Sequence, residues 1–191
     1  MQTAEILTES SKSPASITQS NKQKVGFAYE YLFELSQKGE AMRIIICLDD
    51  DNGMLFHDRR QSQDVKLRAD VLQRLGERML WMNAYSARQF ADAEDARIHI
   101  SDSFLEEAGK DDFCFVENQP LLPYEARIQE VICYRWNRRY PSDVKLDLPL
   151  EGWNVMEETE FAGKSHERIT RTVYRRNVPV RWREGWTDGQ R

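Results

Sequence analysis

Apolar residues arrive along this chain in short dense bursts separated by longer polar stretches. The first strong burst, Arg43–Leu48 (RIIICL), is β-branched and does not alternate, which predicts a strand buried on both faces. Asp49-Asp50-Asp51-Asn52-Gly53 ends it as a turn, because Asn-Gly tolerates positive φ. From Gln63 to Met79 the pattern predicts a helix, with Val65, Val71, Leu72 and Leu75 near one face. Leu80-Trp81-Met82 predicts a short strand, and Ser86 to Phe90 begins a second helix with Ser86 at or near its N-cap. A strand is expected at Arg97–Ile100, then a helix from Ser101 closed near Gly109, then a buried strand at Phe113–Val116. Leu122–Ile128 reads as a short helix or turn and Glu130–Trp136 as a strand. Trp153–Phe161 and Arg168–Arg175 read as two strands joined across Ala162-Gly163-Lys164-Ser165. Alternation of strands and helices followed by a terminal hairpin predicts an α/β fold. Its sheet is mainly parallel with an antiparallel C-terminal hairpin, and helices cover both faces. There is no internal repeat.

The ends of the chain differ from its middle. Residues 1–24 are rich in Ser, Thr, Gln and Lys, the signature of a disordered segment, and residues 25–37 are compatible with one short helix. Lys38-Gly39-Glu40 can be encoded by AAAGGAGAA, which would be a bacterial ribosome-binding site correctly placed before a start at Met42. Residues 1–41 are thus expected to be either a disordered arm or a mis-assigned extension of a product that begins at Met42. The domain is expected over residues 42–177. The tail, residues 178–191, carries Trp182, Trp186 and several arginines, and nothing in its sequence separates docking on the domain, docking on a partner, and disorder.

Composition narrows the function classes. With 40% hydrophobic and 31% charged residues in 191, the chain is of ordinary soluble, globular type. A formal net charge of -5 argues against bulk electrostatic binding to nucleic acid and leaves room for a local basic patch. No apolar run approaches the roughly 20 residues of a membrane span, and no secretory signal opens the chain. Cys47, Cys114 and Cys133 each sit in an apolar run, so buried free thiols and a cytoplasmic location are expected. His57, His99 and His166 have no HxH, HxxxH or HExxH spacing, and no cysteine pair has ligand spacing; no metal is expected. Phosphate-loop, nucleophile-elbow and GxGxxG motifs are also missing.

Several segments, in order, resemble dihydrofolate reductase. RIIICLDDDNGMLFH is similar to that family's first strand and the glycine-methionine-proline-tryptophan segment after it, with Gly53-Met54 matching and Phe56 in the tryptophan's place. LWMNAYSARQF resembles the strand and helix start written methionine-glycine-arginine-x-threonine. SDSFLEEAGKDDFCFVENQPLLPYEARIQEVICYRW resembles the helix, strand, loop and strand that follow. YPSDVKLDLPLEGWNVMEETEFAGKSHERITRTVYRR resembles the closing segment, with its serine-histidine turn. The resemblance spans roughly 135 residues and implies a reductase-like fold, an NADPH site and a catalytic carboxylate, for which Asp64 is the candidate. A fold does not itself carry function.

The departures bear on that function. Where the family has a glycine pair beside the cofactor, this chain has Glu117-Asn118. Ala84 stands where the family has an arginine. Close phosphate approach wants glycine and free N–H groups, so NADPH is disfavoured here. Asp64 could protonate a substrate if its pKa were raised; the commoner role for a carboxylate at this place is a first-turn partner of the helix dipole. Phe56, His57, Arg59, Arg60 and Gln61 follow the first strand, where the resemblance puts the substrate site. With Asn83, Ser86, Glu117 and Asn118 they form the candidate ligand-binding set. Adjacent arginines with Gln and Ser suit a carboxylate or phosphate, so a small anion or a protein partner is the expected ligand. A second cluster, Arg135, Trp136, Arg138, Arg139 and Tyr140, mixes cations with aromatic rings as single-stranded nucleic acid binding requires, or as a strand end with snorkelling arginines does. The chain is also similar to small bacterial proteins that have carried the label ribonuclease Z. The histidine-x-histidine-x-aspartate-histidine motif of that enzyme is not present here.

Overall fold

In the computed structural model, which describes residues 41–176, the burst RIIICL lies within the central strand β1 (Met42–Leu48). The chain divides into two units, Met1–Lys38 and Gly39–Arg191, and the described residues fall in the second. The expectations for residues 1–40 and for the tail from 177 onward lie outside the described residues. β1 pairs in parallel with β6 (Phe113–Val116) on one side and β7 (Ile128–Arg135) on the other. Beyond β6 come β4 (Leu80–Met82) and β5 (Ile98–Ile100), both parallel. Beyond β7 come β10 (Ile169–Arg175) and β9 (Asn154–Phe161), each antiparallel to its neighbour. The order β5-β4-β6-β1-β7-β10-β9 is the mainly parallel sheet with an antiparallel hairpin that the alternating pattern predicts.

Burial on both faces explains the unbroken apolar strands. Ile44, Ile46, Cys114, Val116, Val131 and Cys133 pack on one side with Phe104 and Leu105 of helix α3 (Phe104–Glu107). Ile45, Phe113, Phe115 and Ile132 pack on the other with Leu67, Val71 and Leu75 of helix α1 (Val65–Arg74) and its C-cap. Successive strand residues point to opposite faces, so a strand between two helical layers must be apolar throughout.

Three helices are shorter or differently bounded than their patterns predict. α1 begins at Val65 because Asp64 caps it, and Gly76 at φ 58 follows its last turn, so it does not reach Met79. Its buried stripe is Leu67, Val71 and Leu75; Val65 is exposed. Helix α2 is Ala84–Ala87, capped by Asn83 and not by Ser86, which lies inside it; a 3₁₀ turn, Arg88–Phe90, continues it. α3 has only four residues, because Ser101 Oγ accepts the Ser103 N–H (3.1 Å) and holds that segment in a local turn. Leu122–Arg127 is a 3₁₀ turn.

A second sheet was not legible in the pattern. β2 (Gly53–Phe56) lies between β3 (Arg59–Arg60) and β8 (Val144–Lys145). His57 and Asp58, at φ 49 and 57, form the two-residue turn of the β2–β3 hairpin. Gly53 is required by close approach: a Cβ there would lie 2.5 Å from Gln61 Nε2 and 2.6 Å from Ser142 Cβ. No helix among the described residues is long and apolar enough to cross a membrane.

Candidate functional site

β1 is the switch point of the sheet, with β6 and β7 added on its two sides. In open sheets of this kind, ligands sit outside the carboxyl ends of the strands at such a point. The chain exits there at Asp49 after β1, at Asn83 after β4 and at Glu117-Asn118 after β6. Asp49 is fully buried and holds the first exit loop, accepting N–H groups of Asp51 (2.9 Å), Gly53 (2.6 Å) and Tyr140 (3.1 Å) and Gln61 Nε2 (2.9 Å). These bonds hold its carboxyl below the usual range, against the opposing effect of burial.

Arg60, Asn83, Ser86, Glu117 and Asn118 meet in this crevice. The β2–β3 hairpin brings in Arg60, whose Nη2 donates to Tyr85 O (2.8 Å) and whose guanidinium covers the Tyr85 ring at 4.8 Å. The same nitrogen lies 3.4 Å from Glu117 Oε2, an ion pair without hydrogen-bond geometry. Glu117 is only 7% exposed, and burial pushes its carboxyl upward, with Arg60, Ser86 and Gln89 acting the other way. The Ser86 hydroxyl faces Glu117, but neither Ser86 Oγ nor Glu117 Oε2, both buried, has a partner in good hydrogen-bond geometry. Asn83 Nδ2 donates to Asn118 Oδ1 (2.8 Å), which ties the exits of β4 and β6 together. Phe56, 38% exposed, stacks on His57 at the hairpin tip, and Arg59 points to solvent. The hairpin thus separates its own candidates: Arg60 turns inward, Gln61 serves Asp49, and Phe56, His57 and Arg59 stay outside.

The residues of this crevice do not fit a dinucleotide diphosphate. At the place the resemblance assigns to the glycine pair stand Glu117, buried and paired with Arg60, and Asn118, bonded to Asn83. A diphosphate there would meet two side chains, Glu117 and Asn118, where close backbone approach needs glycine and bare N–H groups.

Asp64 occupies a separate cluster. Its carboxylate accepts N–H groups of Lys66 (2.7 Å), Leu67 (3.4 Å), Lys164 (2.7 Å) and Ser165 (2.7 Å), and the Ser165 hydroxyl (2.7 Å). Burial opposes ionisation, yet these donors prevail and lower its pKa to about 2. The loop between β9 and β10 can close so tightly because residue 163 is glycine; a Cβ would lie 2.5 Å from Asp64 Oδ2. A general acid at neutral pH needs a raised pKa, and this environment acts in the opposite sense.

His166, buried, extends this cluster and was not singled out by sequence reasoning. Its Nδ1 meets Ser165 Oγ at 3.0 Å, its Nε2 meets Tyr140 Oη at 2.9 Å, and its ring stacks on Trp136 at 4.7 Å. Since the one Ser165 hydrogen is taken by Asp64 or by Gln63 O (2.9 Å), Ser165 Oγ accepts from His166 Nδ1–H, and in the neutral ring Nε2 then accepts from the Tyr140 hydroxyl. The assignment is a neutral imidazole. Burial, then Arg138, lower its pKa, and Asp64 opposes them. The only sequence signal was the serine-histidine turn.

The second candidate cluster is divided by the fold. Arg135 donates to Asp49 O and Asn52 Oδ1 (3.0 Å each). Trp136 is 3% exposed, its face taken by His166. Arg139 is exposed, 3.7 Å from Asp51. Arg138 borders a cavity of about 310 Å³ lined also by Trp136, Asn137, His166, Glu167 and Arg168. All three cysteines are free. Burial raises Cys114 and Cys133 to about 12 and Cys47 well above its usual value. No group of three or more His, Cys, Asp or Glu among the described residues is placed to hold a metal ion.

No family model matches this chain, and no curated protein sequence matches it. Among solved structures it is similar to dihydrofolate reductase from Enterococcus faecalis, complexed with NADP(H) and RAB-propyl, at 6% identity and a TM-score of 0.51. The match covers 72% of this chain and 97% of that one. Strand order, the antiparallel C-terminal hairpin and this superposition together show that the chain has the dihydrofolate reductase-like fold.

Proposed function

We propose that this chain is a small-anion-binding module built on a reductase-like scaffold, working without a nicotinamide dinucleotide. The observation that carries this reading is Arg60. Its guanidinium is drawn from the hairpin into the crevice, with one hydrogen bond among the described residues, to Tyr85 O. Its pairing with Glu117 lacks hydrogen-bond geometry. A planar five-donor cation with donors to spare, beside an unpartnered Ser86 hydroxyl, suits a carboxylate, sulfate or phosphate group. Three unpaired thiols support a reducing compartment such as the cytoplasm.

Calorimetric titration and thermal shift with sulfate, acetate and small dicarboxylates test the reading. Saturable binding and stabilisation are expected in the native protein, with at least a tenfold loss of affinity in Arg60→Met. Saturable stabilisation by NADPH would overturn it in favour of a divergent oxidoreductase. Co-purifying nucleic acid that is lost in Arg138→Ala/Arg139→Ala would overturn it in favour of contact along residues 135–140.

A further inference from the structure

The orphaned oxygens of the crevice carry a consequence for how an anion enters it. Buried polar atoms without partners are uncommon in folded proteins. Here Glu117 Oε2 and Ser86 Oγ are two such atoms, on neighbouring strand exits. The groups acting on Glu117 are few. Arg60 approaches from β3, Ser86 and Gln89 come from α2 and the turn after it, and Cys47 lies on β1. Cys47 carries no charge, since burial keeps its thiol protonated. Among the described residues, Arg60 is therefore the one cation that compensates this carboxylate.

An anion that binds Arg60 takes that compensation away. Glu117 would then be a buried carboxylate beside a second negative charge, with no cation of its own. Two close anions sharing a desolvated site do not both stay ionised. We infer that the crevice takes its anion together with one proton: the anion replaces Glu117 on Arg60, and Glu117 accepts a proton from solvent and donates the resulting O–H to the ligand. Ser86, which faces Glu117 in poor geometry in the free protein, supplies a second hydroxyl donor, so both poorly bonded oxygens gain well-placed partners in the liganded state. The inference rests on the anion reading and adds its regulation, making the module a sensor of anion and pH together. Burial, which already pushes the Glu117 carboxyl upward, acts in the same direction.

Sulfate is the probe, because its own charge is constant over the range about pH 5 to about 8, and ionic strength is held fixed. Titrations in buffers of different ionisation enthalpy are expected to show uptake of about one proton per sulfate bound. Between the carboxyl's pKa in the free and in the liganded protein, the association constant is expected to fall about tenfold per pH unit as pH rises. Glu117→Gln, a permanently neutral donor, is expected to bind at every pH with the native protein's low-pH affinity and without proton uptake. Saturable, Arg60-dependent binding with flat affinity and no proton uptake would overturn this inference and leave the anion reading standing. No saturable sulfate binding at any pH would overturn both. Proton uptake is read on the native protein, so the test stands if Glu117→Gln folds poorly.

Discussion

Asp64 shows what one carboxylate does when every lone pair is used. Four backbone N–H groups and one hydroxyl converge on it from the first turn of α1 and from the loop between β9 and β10. Its folded pKa of about 2 lies below its unfolded value near 4. The stability it contributes, on the order of 2 kcal/mol, is present above the unfolded pKa and is lost as pH falls through the folded one. Asp64→Asn keeps the shape and removes the charge. Urea unfolding is expected to show a loss of about 1–3 kcal/mol at pH 7 and a shallower decline between about pH 4 and about pH 2. Equal slopes in native and variant would refute the assignment. His166 adds a second acid-side loss: its folded pKa is depressed, so stability declines as pH falls below its unfolded value near 6.5. The sequence offered Asp64 two roles, proton donor or first-turn partner. It could not choose between them, because three of the five donors come from residues 164 and 165, a hundred positions away.

At the scale of elements, α1 is fastened to the sheet's antiparallel edge by a buried cation. Arg171 on β10 is 7% exposed and binds Asp70 through both carboxylate oxygens (2.6 and 2.8 Å) and also Glu157 on β9. Arg74 reaches Glu157 at 2.9 Å, and the Tyr134 hydroxyl donates to Asp70 at 2.6 Å. Removing the shared cation leaves two carboxylates facing each other with one remaining arginine. Arg171→Met is therefore expected to cost about 3 kcal/mol, read as a fall in urea midpoint with unchanged slope, while Arg168→Met at the exposed end of the hairpin costs less than about 1 kcal/mol. The central strands were legible because burial on both faces writes an unbroken apolar run. The small sheet was not, because β3 and β8 have two residues each and no period to detect. Helix ends depended on caps: several polar residues lie near each helix start, and only the fold shows that Asn83 and Asp64 are the ones whose side chains turn back to the backbone.

At the scale of the whole molecule, β1 opens with a side chain that the core already uses. Met42 is fully buried and its residue pairs with Ile128, so the core already uses the side chain that a start at this position would place first. One backbone contact among the described residues reaches further back: the Asp111 N–H donates to Ala41 O at 2.7 Å. Arg43 N–H, by contrast, bonds Asp112 O within the domain. Among the described residues, a chain that begins at Met42 forfeits this one hydrogen bond, worth about 1 kcal/mol. Calorimetry is expected to show a single cooperative transition for that shortened chain, with Tm lowered by a few degrees at most, about 2–6 °C for a domain of this size. A loss of cooperativity, or a drop of about 15 °C or more, would mean that residues 1–41 supply core contacts and that the domain does not start at the first strand.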